Sequence, residues 1–159
     1  MSNCSKRFQV VSAIFMVLFS VVPAMADDEV MKQTNMTVFF QDYSADFGTF
    51  VMTDDLVTEG PELTSAVVGR GQGISITTGL DGINAYVSFS LVFTNDAYNG
   101  STLQVQGNGN RFLAVREYSV VSGTGKFRYA RGYLTFETHF SDPSTFYTLF
   151  RVNVTIRHY

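Results

Sequence analysis

The feature that most constrains this chain is the alternation of apolar and polar residues along short, turn-bounded segments. One example is the run from residue 85 to residue 93, where large apolar side chains occupy every second position: Val87, Phe89, Leu91 and Phe93. A period of two is typical of a β-strand with one buried face, whereas an amphipathic helix repeats its apolar positions every three or four residues. No segment has a convincing helical stripe, so the sequence predicts an all-β chain.

Eight such segments are separated by short clusters of turn residues, among them Gly, Asn, Asp, Ser and Pro. The predicted strands span residues 35–42, 47–56, 64–78, 85–95, 101–107, 111–121, 126–141 and 145–159. Short connections join antiparallel neighbours, and eight strands linked in this way can close into a barrel without exposed edges. The 159 residues suit one domain. We therefore expect a single-domain, eight-stranded antiparallel β-barrel.

The N-terminus has the parts of a secretory signal peptide. Lys6 and Arg7 supply positive charge, residues 8–22 are almost continuously apolar, and an Ala-Met-Ala sequence offers a cleavage site. A retained membrane anchor is the alternative, but the apolar run is short for a bilayer span. The predicted organisation is a cleaved signal peptide at 1–26, a flexible segment at 27–34 and the barrel domain at 35–159. The mature protein would be secreted, with no membrane segment.

Cysteine content and charge argue against several classes of function. The only cysteine, Cys4, lies in the predicted signal peptide, so the mature chain has no thiol for disulfides, thiolate catalysis or metal binding. A formal net charge of −3 offers no basic excess for nucleic acid or anionic membranes. His139 and His158 lack a ligand pattern around them, so no metal and no other cofactor is expected. The many Phe and Tyr residues favour strands and apolar pockets instead.

Three Asn-x-Ser/Thr sequences, beginning at Asn35, Asn99 and Asn153, are candidate N-glycosylation sites in a secreted chain. A glycan on Asn35 would place its side of the first strand outside the barrel. Alternation would then turn Phe40 and Asp42 towards the interior.

Residues 116–138 read as two β-rich runs joined by a Ser-Gly-Thr-Gly turn. If the second run is a strand from residue 126 onwards, Arg131 shares its side with Tyr129 and Tyr133. An arginine among aromatic rings can stack on them and donate to the oxygen atoms of a ligand. A structural ion pair is the alternative for Arg131.

Several separate motifs resemble those of the plant dirigent family, and they occur in the family's order. They are DDLVTEGP at 54–61, VGRGQG at 68–73, YNGSTL at 98–103, REYSVVSGTGKFRYARGY at 116–133 and NVTIRHY at 153–159. The resemblance extends over residues 36–159. It implies an antiparallel barrel of the allene-oxide-cyclase/calycin-like type. It also implies a homo-oligomer, a dimer or trimer, in the plant apoplast, and strands with apolar residues on both faces favour such self-association.

The resemblance further implies a role in lignan formation. A dirigent-type protein imposes stereoselectivity on the coupling of phenoxy radicals, for example from coniferyl alcohol, which a separate laccase or peroxidase generates. The alternative is a true enzyme, a cyclase or dehydratase similar to pterocarpan synthases, which acts on a phenolic quinone methide. A passive carrier or lectin is a third class, although the chain has no attached carbohydrate-binding domain.

The predicted catalytic residues are Asp42 and Arg131, and the predicted ligand-binding residues are Phe40, Tyr129 and Tyr133. From the chain alone, Asp42 is more simply read as a strand-ending residue that accepts hydrogen bonds from turn amides. The resemblance favours a pocket acid, since dirigent proteins carry an Asp at this point. Desolvation among aromatic rings would let such an acid donate a proton. The resemblance likewise associates the arginine of the Ala-Arg-Gly motif, Arg131, with the pocket.

The chain departs from the dirigent pattern just before the Arg-Glu pair at 116–117. Many family members have a further acid or an Asn-Pro segment there, whereas residues 107–112 contain no acid. Asp54 and Asp55 are neighbours on one strand, so they would face opposite ways, and Asp55 is expected to begin the next turn. A second carboxylate is therefore not expected at the family's position.

Overall fold

The computed structural model describes residues 30–43, 50–80 and 82–159 of the chain. The predicted signal peptide lies outside these ranges. The strands are β1 Lys32–Tyr43, β2 Phe50–Thr58, β3 Val67–Thr77, β4 Asn84–Phe93, β5 Thr102–Asn110, β6 Val115–Thr124, β7 Arg131–Asp142 and β8 Tyr147–His158. Each strand pairs antiparallel with the next, and β8 pairs with β1, so the sheet closes on itself. The predicted eight-stranded antiparallel barrel is confirmed.

β1 begins three residues earlier than predicted, inside the segment expected to be flexible. It pairs with β8 along its whole length, from Lys32 opposite His158 to Tyr43 opposite Tyr147. These first residues form a strand because β8 supplies backbone hydrogen-bond partners next to each of them. Among the described residues, no helix is long and apolar enough to cross a membrane.

The fifth strand was predicted to end at residue 107, with a turn at residues 107–109. This turn is wrong, since Gly107 and Gly109 lie inside β5 and the connection to β6 follows Asn110. Gly107 lies against the ring of Tyr118 on β6. A Cβ atom at residue 107 would come within 2.8 Å of Cδ1 of that ring. Glycine at this position accommodates a neighbouring aromatic side chain and does not mark a turn.

The connection between β6 and β7 also differs from the prediction. β6 continues to Thr124, a 3₁₀ turn covers Gly125–Phe127, and β7 begins only at Arg131. The φ angles of Gly125 and Tyr129 are both 61°, so the chain leaves the extended conformation between the two strands. The ring of Phe127 is fully buried and closes this end of the barrel, with centroids 5.0 Å from Phe93, 4.9 Å from Tyr98 and 5.3 Å from His158.

The interior of the barrel has two parts. The half near Phe127 is a packed core of fully buried side chains: Leu91, Phe93, Leu103, Val120, Leu134, Val152 and Ile156. Above it lies a layer of aromatic rings in edge-to-face contact, which we call the aromatic layer: Phe40, Phe89, Phe136 and Phe150. Neighbouring centroids in this layer are 5.1 to 6.0 Å apart. The other half of the interior, beyond these rings, is open.

Gly71 on β3 provides the space for one member of the aromatic layer. A Cβ atom at this position would overlap the ring of Phe40, which is only 3% exposed and is packed between Phe89 and Phe136. A crowded ring in a close-packed interior has little freedom to move aside.

We therefore expect Gly71→Ala to destabilise the protein by about 1–3 kcal/mol, the usual cost of overpacking a core. Gly109→Ala is the matched control, because a Cβ atom there would meet nothing nearer than Cε1 of Tyr118 at 3.7 Å. The control should lie within about 0.5 kcal/mol of the natural chain. Urea unfolding followed by tyrosine fluorescence measures both variants. Equal stability of the two variants would show that the ring of Phe40 does not need the space that Gly71 leaves.

Candidate functional site

A cavity of about 380 Å³ opens at the end of the barrel opposite Phe127. The aromatic layer forms its floor. Hydroxyl-bearing side chains from four strands contribute to its wall: Thr53, Ser75, Thr77, Thr138, Ser141 and Thr148. The volume lies within the range typical of small-molecule sites, which are mostly apolar with a few placed polar groups.

Two carboxyl groups, Asp42 on β1 and Asp55 on β2, line this cavity. The described pairing of the two strands ends at Gln41 opposite Leu56, and the next position on each strand is one of these acids. Residues opposite each other in an antiparallel pair have side chains on the same face. The structure thus brings together Asp42, which the sequence predicted for the pocket, and Asp55, which it assigned to a turn.

The turn predicted at Asp55 is wrong because β2 continues as far as Thr58. As predicted, the side chains of Asp54 and Asp55 point to opposite faces of β2. Asp54 faces outwards, where its Oδ1 accepts hydrogen bonds from Nε of Arg70 at 2.5 Å and from Nε2 of Gln72 at 3.0 Å.

The pKa values of the neighbouring acids Asp54 and Asp55 are shifted in opposite directions. Burial, followed by the negative charge of Asp42, raises the pKa of Asp55 to about 7. The hydrogen bonds from Arg70 and then Gln72 lower the pKa of Asp54 below its ordinary value. The Asp42–Asp55 pair can therefore carry a proton near neutral pH, so the cavity offers both a proton donor and a proton acceptor.

Two described cationic side chains, Arg111 and Arg116, line the cavity with these acids, and Arg116 on β6 is the less exposed of the two. Its guanidinium carbon lies 4.7 Å from the ring centroid of Phe150, and its Nη2 donates a hydrogen bond to Oγ1 of Thr138 at 3.2 Å. Burial lowers its pKa, although an arginine remains protonated in proteins. Its Nε is buried with no hydrogen-bond partner among the described residues. An oxygen atom of a bound ligand would satisfy such a donor.

Arg131 does not lie at the cavity, and this prediction is corrected. It stands at the start of β7 opposite Arg157, on the outer face near the closed end of the barrel. Tyr129 and Tyr133 also lie outside the cavity, with 68% and 44% of their surfaces exposed. The alternation was counted from residue 126 through a 3₁₀ turn, which breaks the strand period. Within β7, Leu134 and Phe136 are buried inside the barrel and Thr138 lines the cavity.

The other predicted positions divide between the cavity and the outer surface. Phe40 and Asp42 line the cavity. Asn35, Asn99 and Asn153 lie on the outside of the barrel, where Oδ1 of Asn153 accepts a hydrogen bond from the hydroxyl of Thr37 at 2.7 Å. Their glycosylation stays a prediction.

The sequence did contain a signal for Arg116, because this residue alternates in step with Tyr118 and Val120, both buried in the barrel. The opposite side of β6 carries Glu117 but also the apolar Val121. Alternation alone therefore did not show which side of β6 faces the interior of the barrel. Tyr118 shares the interior with Arg116, and burial raises its pKa.

The histidines lie apart from the cavity. His139 contacts the ring of Phe39 at a centroid distance of 5.9 Å, and Nε2 of His158 lies 2.7 Å from Oγ1 of Thr34. Within the described ranges, no three His, Cys, Asp or Glu side chains are grouped so that they could hold a metal ion.

Comparison with known proteins shows the family of this chain. The family model described as dirigent-like protein matches residues 22–157. The chain therefore belongs to the dirigent family.

Individual relatives agree with this assignment. Dirigent protein 1 of Arabidopsis thaliana is 43% identical over 93 residues, which are 58% of this chain and 51% of that protein. Pterocarpan synthase 1 of Glycine max is 36% identical over 115 residues, which are 71% of this chain and 61% of that protein. The chain spans about half the length of the curated relatives it matches. A solved structure of a pterocarpan synthase dirigent protein superposes with a TM-score of 0.75 at 28% identity, over 81% of this chain and 86% of that one.

The raised pKa of Asp55 predicts a pH dependence of stability. An Asp with an ordinary pKa of 3.8 when unfolded and about 7 when folded binds more protons in the folded state between those values. The free energy of unfolding should therefore fall as the pH rises through this range, by up to roughly 4 kcal/mol.

Asp55→Asn cannot ionise, so we expect this variant to lack that fall and to be the more stable protein at pH 8. Asp54→Asn is the matched control with the opposite sign. It should lose stability above about pH 4, because the charged form of Asp54 is the one that Arg70 stabilises. Urea unfolding at pH 5 and pH 8 measures the difference. A parallel pH dependence in the natural chain and Asp55→Asn would contradict the placement of Asp55.

Proposed function

We propose that this chain is a dirigent-type protein that makes the coupling of phenoxy radicals stereoselective. The radicals come from a phenylpropanoid such as coniferyl alcohol, a separate laccase or peroxidase generates them, and the products are optically active lignans. The observation that carries the proposal is the cavity of about 380 Å³ with an aromatic floor and an acid pair on one wall. Such a site can orient an already reactive species without oxidising it.

The acid pair supports the steps that follow radical coupling. A new carbon–carbon bond between two radicals leaves a quinone methide on each half. A side-chain hydroxyl then adds to each methide carbon and loses its proton, while the quinone oxygen gains a proton and becomes a phenol. The ionised carboxyl of the Asp42–Asp55 pair accepts the first proton and the protonated one donates the second, so the pair ends with its proton count unchanged. Arg116 donates a hydrogen bond to the quinone oxygen.

The second candidate is a cyclase or dehydratase acting on one phenolic substrate, and the pKa of about 7 for Asp55 favours it. The protonated carboxyl would give its proton to a leaving hydroxyl, and the carbon–oxygen bond would break to release water. The ionised carboxyl of the pair would take the proton of the ring phenol conjugated with that carbon, so that a neutral quinone methide forms. A neighbouring phenol would then attack the methide carbon and give its proton to one carboxylate, while the other carboxyl returns its proton to the quinone oxygen, which becomes a phenol again. This reaction needs no oxidant. The relatives named pterocarpan synthase support this candidate.

The setting of the function is part of the same proposal. The predicted signal peptide supports secretion into the apoplast, and the outward positions of Asn35, Asn99 and Asn153 are compatible with glycans. Exposed rings on the outer face, among them Tyr133 and Phe140, support a homo-oligomer, a dimer or trimer.

The two candidates are separated by incubating the purified protein with coniferyl alcohol, with and without a laccase, followed by chiral chromatography. We expect an excess of one lignan enantiomer with the laccase present and no conversion without it. Racemic product in the presence of the laccase would eliminate the radical-coupling proposal. Conversion of a hydroxy-isoflavanoid without any oxidant would support the cyclase or dehydratase.

Substitutions at the cavity give a sharper prediction for the same assay. Arg116→Met should abolish most of the enantiomeric excess, because the cavity loses the guanidinium whose buried Nε has no hydrogen-bond partner among the described residues. Arg131→Met should leave the excess unchanged, because Arg131 is exposed on the outer face.

Asp42→Asn should likewise remove stereocontrol, with Asp54→Asn as the outward-facing control. Circular dichroism of each variant checks that the barrel is folded. Full stereocontrol in Arg116→Met and Asp42→Asn would remove both residues from the mechanism.

A further inference from the structure

Two exposed tyrosine rings touch at the closed end of the barrel, opposite the cavity. The rings of Tyr129 and Tyr159 are in edge-to-face contact, with centroids 6.0 Å apart and an angle of 84° between their planes. Both side chains are open to solvent, with exposed fractions of 68% and 42%. Neither lines the cavity, so the function proposed above uses neither phenol. An oxidant that approaches this end can therefore reach two phenols that are already in contact.

The pairing of β7 with β8 explains why these two residues meet. The two strands are paired as far as Arg131 opposite Arg157, and both of these side chains face outwards. Two residues further along the same antiparallel register, Tyr129 would stand opposite Tyr159 on that outer face. The ladder itself ends at Arg131, where the chain turns into the 3₁₀ connection. The rings nevertheless meet as the register predicts.

Buried neighbours fix the distance between the two tyrosines. Phe127 and Ala130 on either side of Tyr129 are fully buried, and the amide of Ala130 donates a hydrogen bond to the carbonyl of Phe127 at 2.9 Å. His158, which precedes Tyr159, is 7% exposed and packs against the ring of Phe127 at a centroid distance of 5.3 Å. This one buried contact holds together the two segments that carry the phenols.

The backbone of Tyr129 is in an unusual conformation. Its φ angle of 61° lies in the left-handed region, which a bulky residue rarely adopts. Such a conformation costs free energy and persists only where the surroundings enforce it. Glycine would remove that cost, yet the chain has a tyrosine at this position. The conformation therefore favours a role for the side chain itself.

We propose that Tyr129 and Tyr159 form a site of oxidative coupling, where a phenol-oxidising peroxidase and hydrogen peroxide join the two rings into a dityrosine within one chain. The proposal rests on the function proposed above only in placing such an oxidase beside the protein. Because exposed side chains change rotamer rapidly, the two rings can reach the geometry in which they bond.

The coupling balances without any other reactant. Each phenol gives up one electron and one proton and becomes a tyrosyl radical. A carbon–carbon bond forms between the ring positions next to the two oxygen-bearing carbons. Each newly bonded carbon then loses its proton and each ring oxygen gains one, so both phenols are restored. The chain has lost two hydrogen atoms, and hydrogen peroxide, which accepts the two electrons and two protons, becomes two molecules of water.

The bond would tie the end of β8 to the connection between β6 and β7. The chain has a single cysteine, so it cannot form a disulfide within itself. A covalent link between residues 129 and 159 restricts the unfolded chain in the way that a disulfide does, and it therefore stabilises the folded barrel. Coupling should raise the Tm of the protein.

The test treats the purified full chain with a peroxidase and hydrogen peroxide, without any phenylpropanoid, and then digests it with trypsin. Cleavage after Arg128, Arg131 and Arg157 releases the fragments 129–131 and 158–159. We expect mass spectrometry to find these two fragments joined, two hydrogen atoms lighter than their sum. Dityrosine fluorescence should appear in parallel, and no tryptophan in the chain obscures it. Thermal unfolding before and after the treatment gives the change in Tm.

Tyr129→Phe removes one hydroxyl and keeps the ring. This variant should lose the joined fragment and the rise in Tm. Tyr133→Phe is the matched control, because Tyr133 is another outward tyrosine of the same segment and is 44% exposed. The control should keep both the joined fragment and the rise in Tm. All these side chains are exposed, so both variants should fold.

Three results would overturn the proposal. The joined fragment could be absent from the oxidised natural chain. Dityrosine could form only between chains, which a denaturing gel shows as a covalent dimer. The oxidised natural chain and oxidised Tyr129→Phe could have the same Tm. None of these results bears on the stereoselective coupling of phenols, because the reaction contains no phenylpropanoid and the cavity lies at the other end of the barrel.

Discussion

Closure of the sheet by β1 and β8 is the interaction on which the rest of the structure depends. Because β1 is paired with β8 from Lys32 to Tyr43, each strand has a neighbour on both sides and every second side chain points into one interior. One end of that interior is sealed by Phe127. The aromatic layer stands across its middle. The space left at the other end is the cavity, so the site is a consequence of how the barrel is filled.

The same closure accounts for the electrostatics of the site. Asp54 and Asp55 are neighbours in the chain, yet the strand period sends one to water and an arginine and the other into the barrel beside Asp42. The outward carboxylate is stabilised in its charged form, whereas the inward one is desolvated and faces another acid. Two adjacent residues of β2 therefore differ sharply: Asp54 forms a surface ion pair, whereas Asp55 has a pKa of about 7.

Much of the fold could be predicted because it depends on local patterns. Alternation in β4, with Phe89 and Leu91 on one side, gave the correct inward face, and the turn clusters gave the correct number of strands. One error arose where a glycine had a tertiary cause. Gly107 makes room for the ring of Tyr118 and was misread as a turn. The resemblance assigned Arg131 to the pocket, and the alternation that grouped it with Tyr129 was carried through a 3₁₀ turn that contains Phe127.

The sequence by itself determined the all-β class, the strand order and the dirigent resemblance, because each is a local property or a recognisable string of residues. It predicted the inward direction of Phe40 and Asp42 only through an assumed glycan on Asn35 and through the resemblance. The tertiary structure decided which side chains meet. It replaced Arg131 by Arg116 and supplied Asp55 as the partner of Asp42. Contacts between side chains of different strands depend on the register of the strands. A shift of one residue in register moves a side chain to the other face of the sheet.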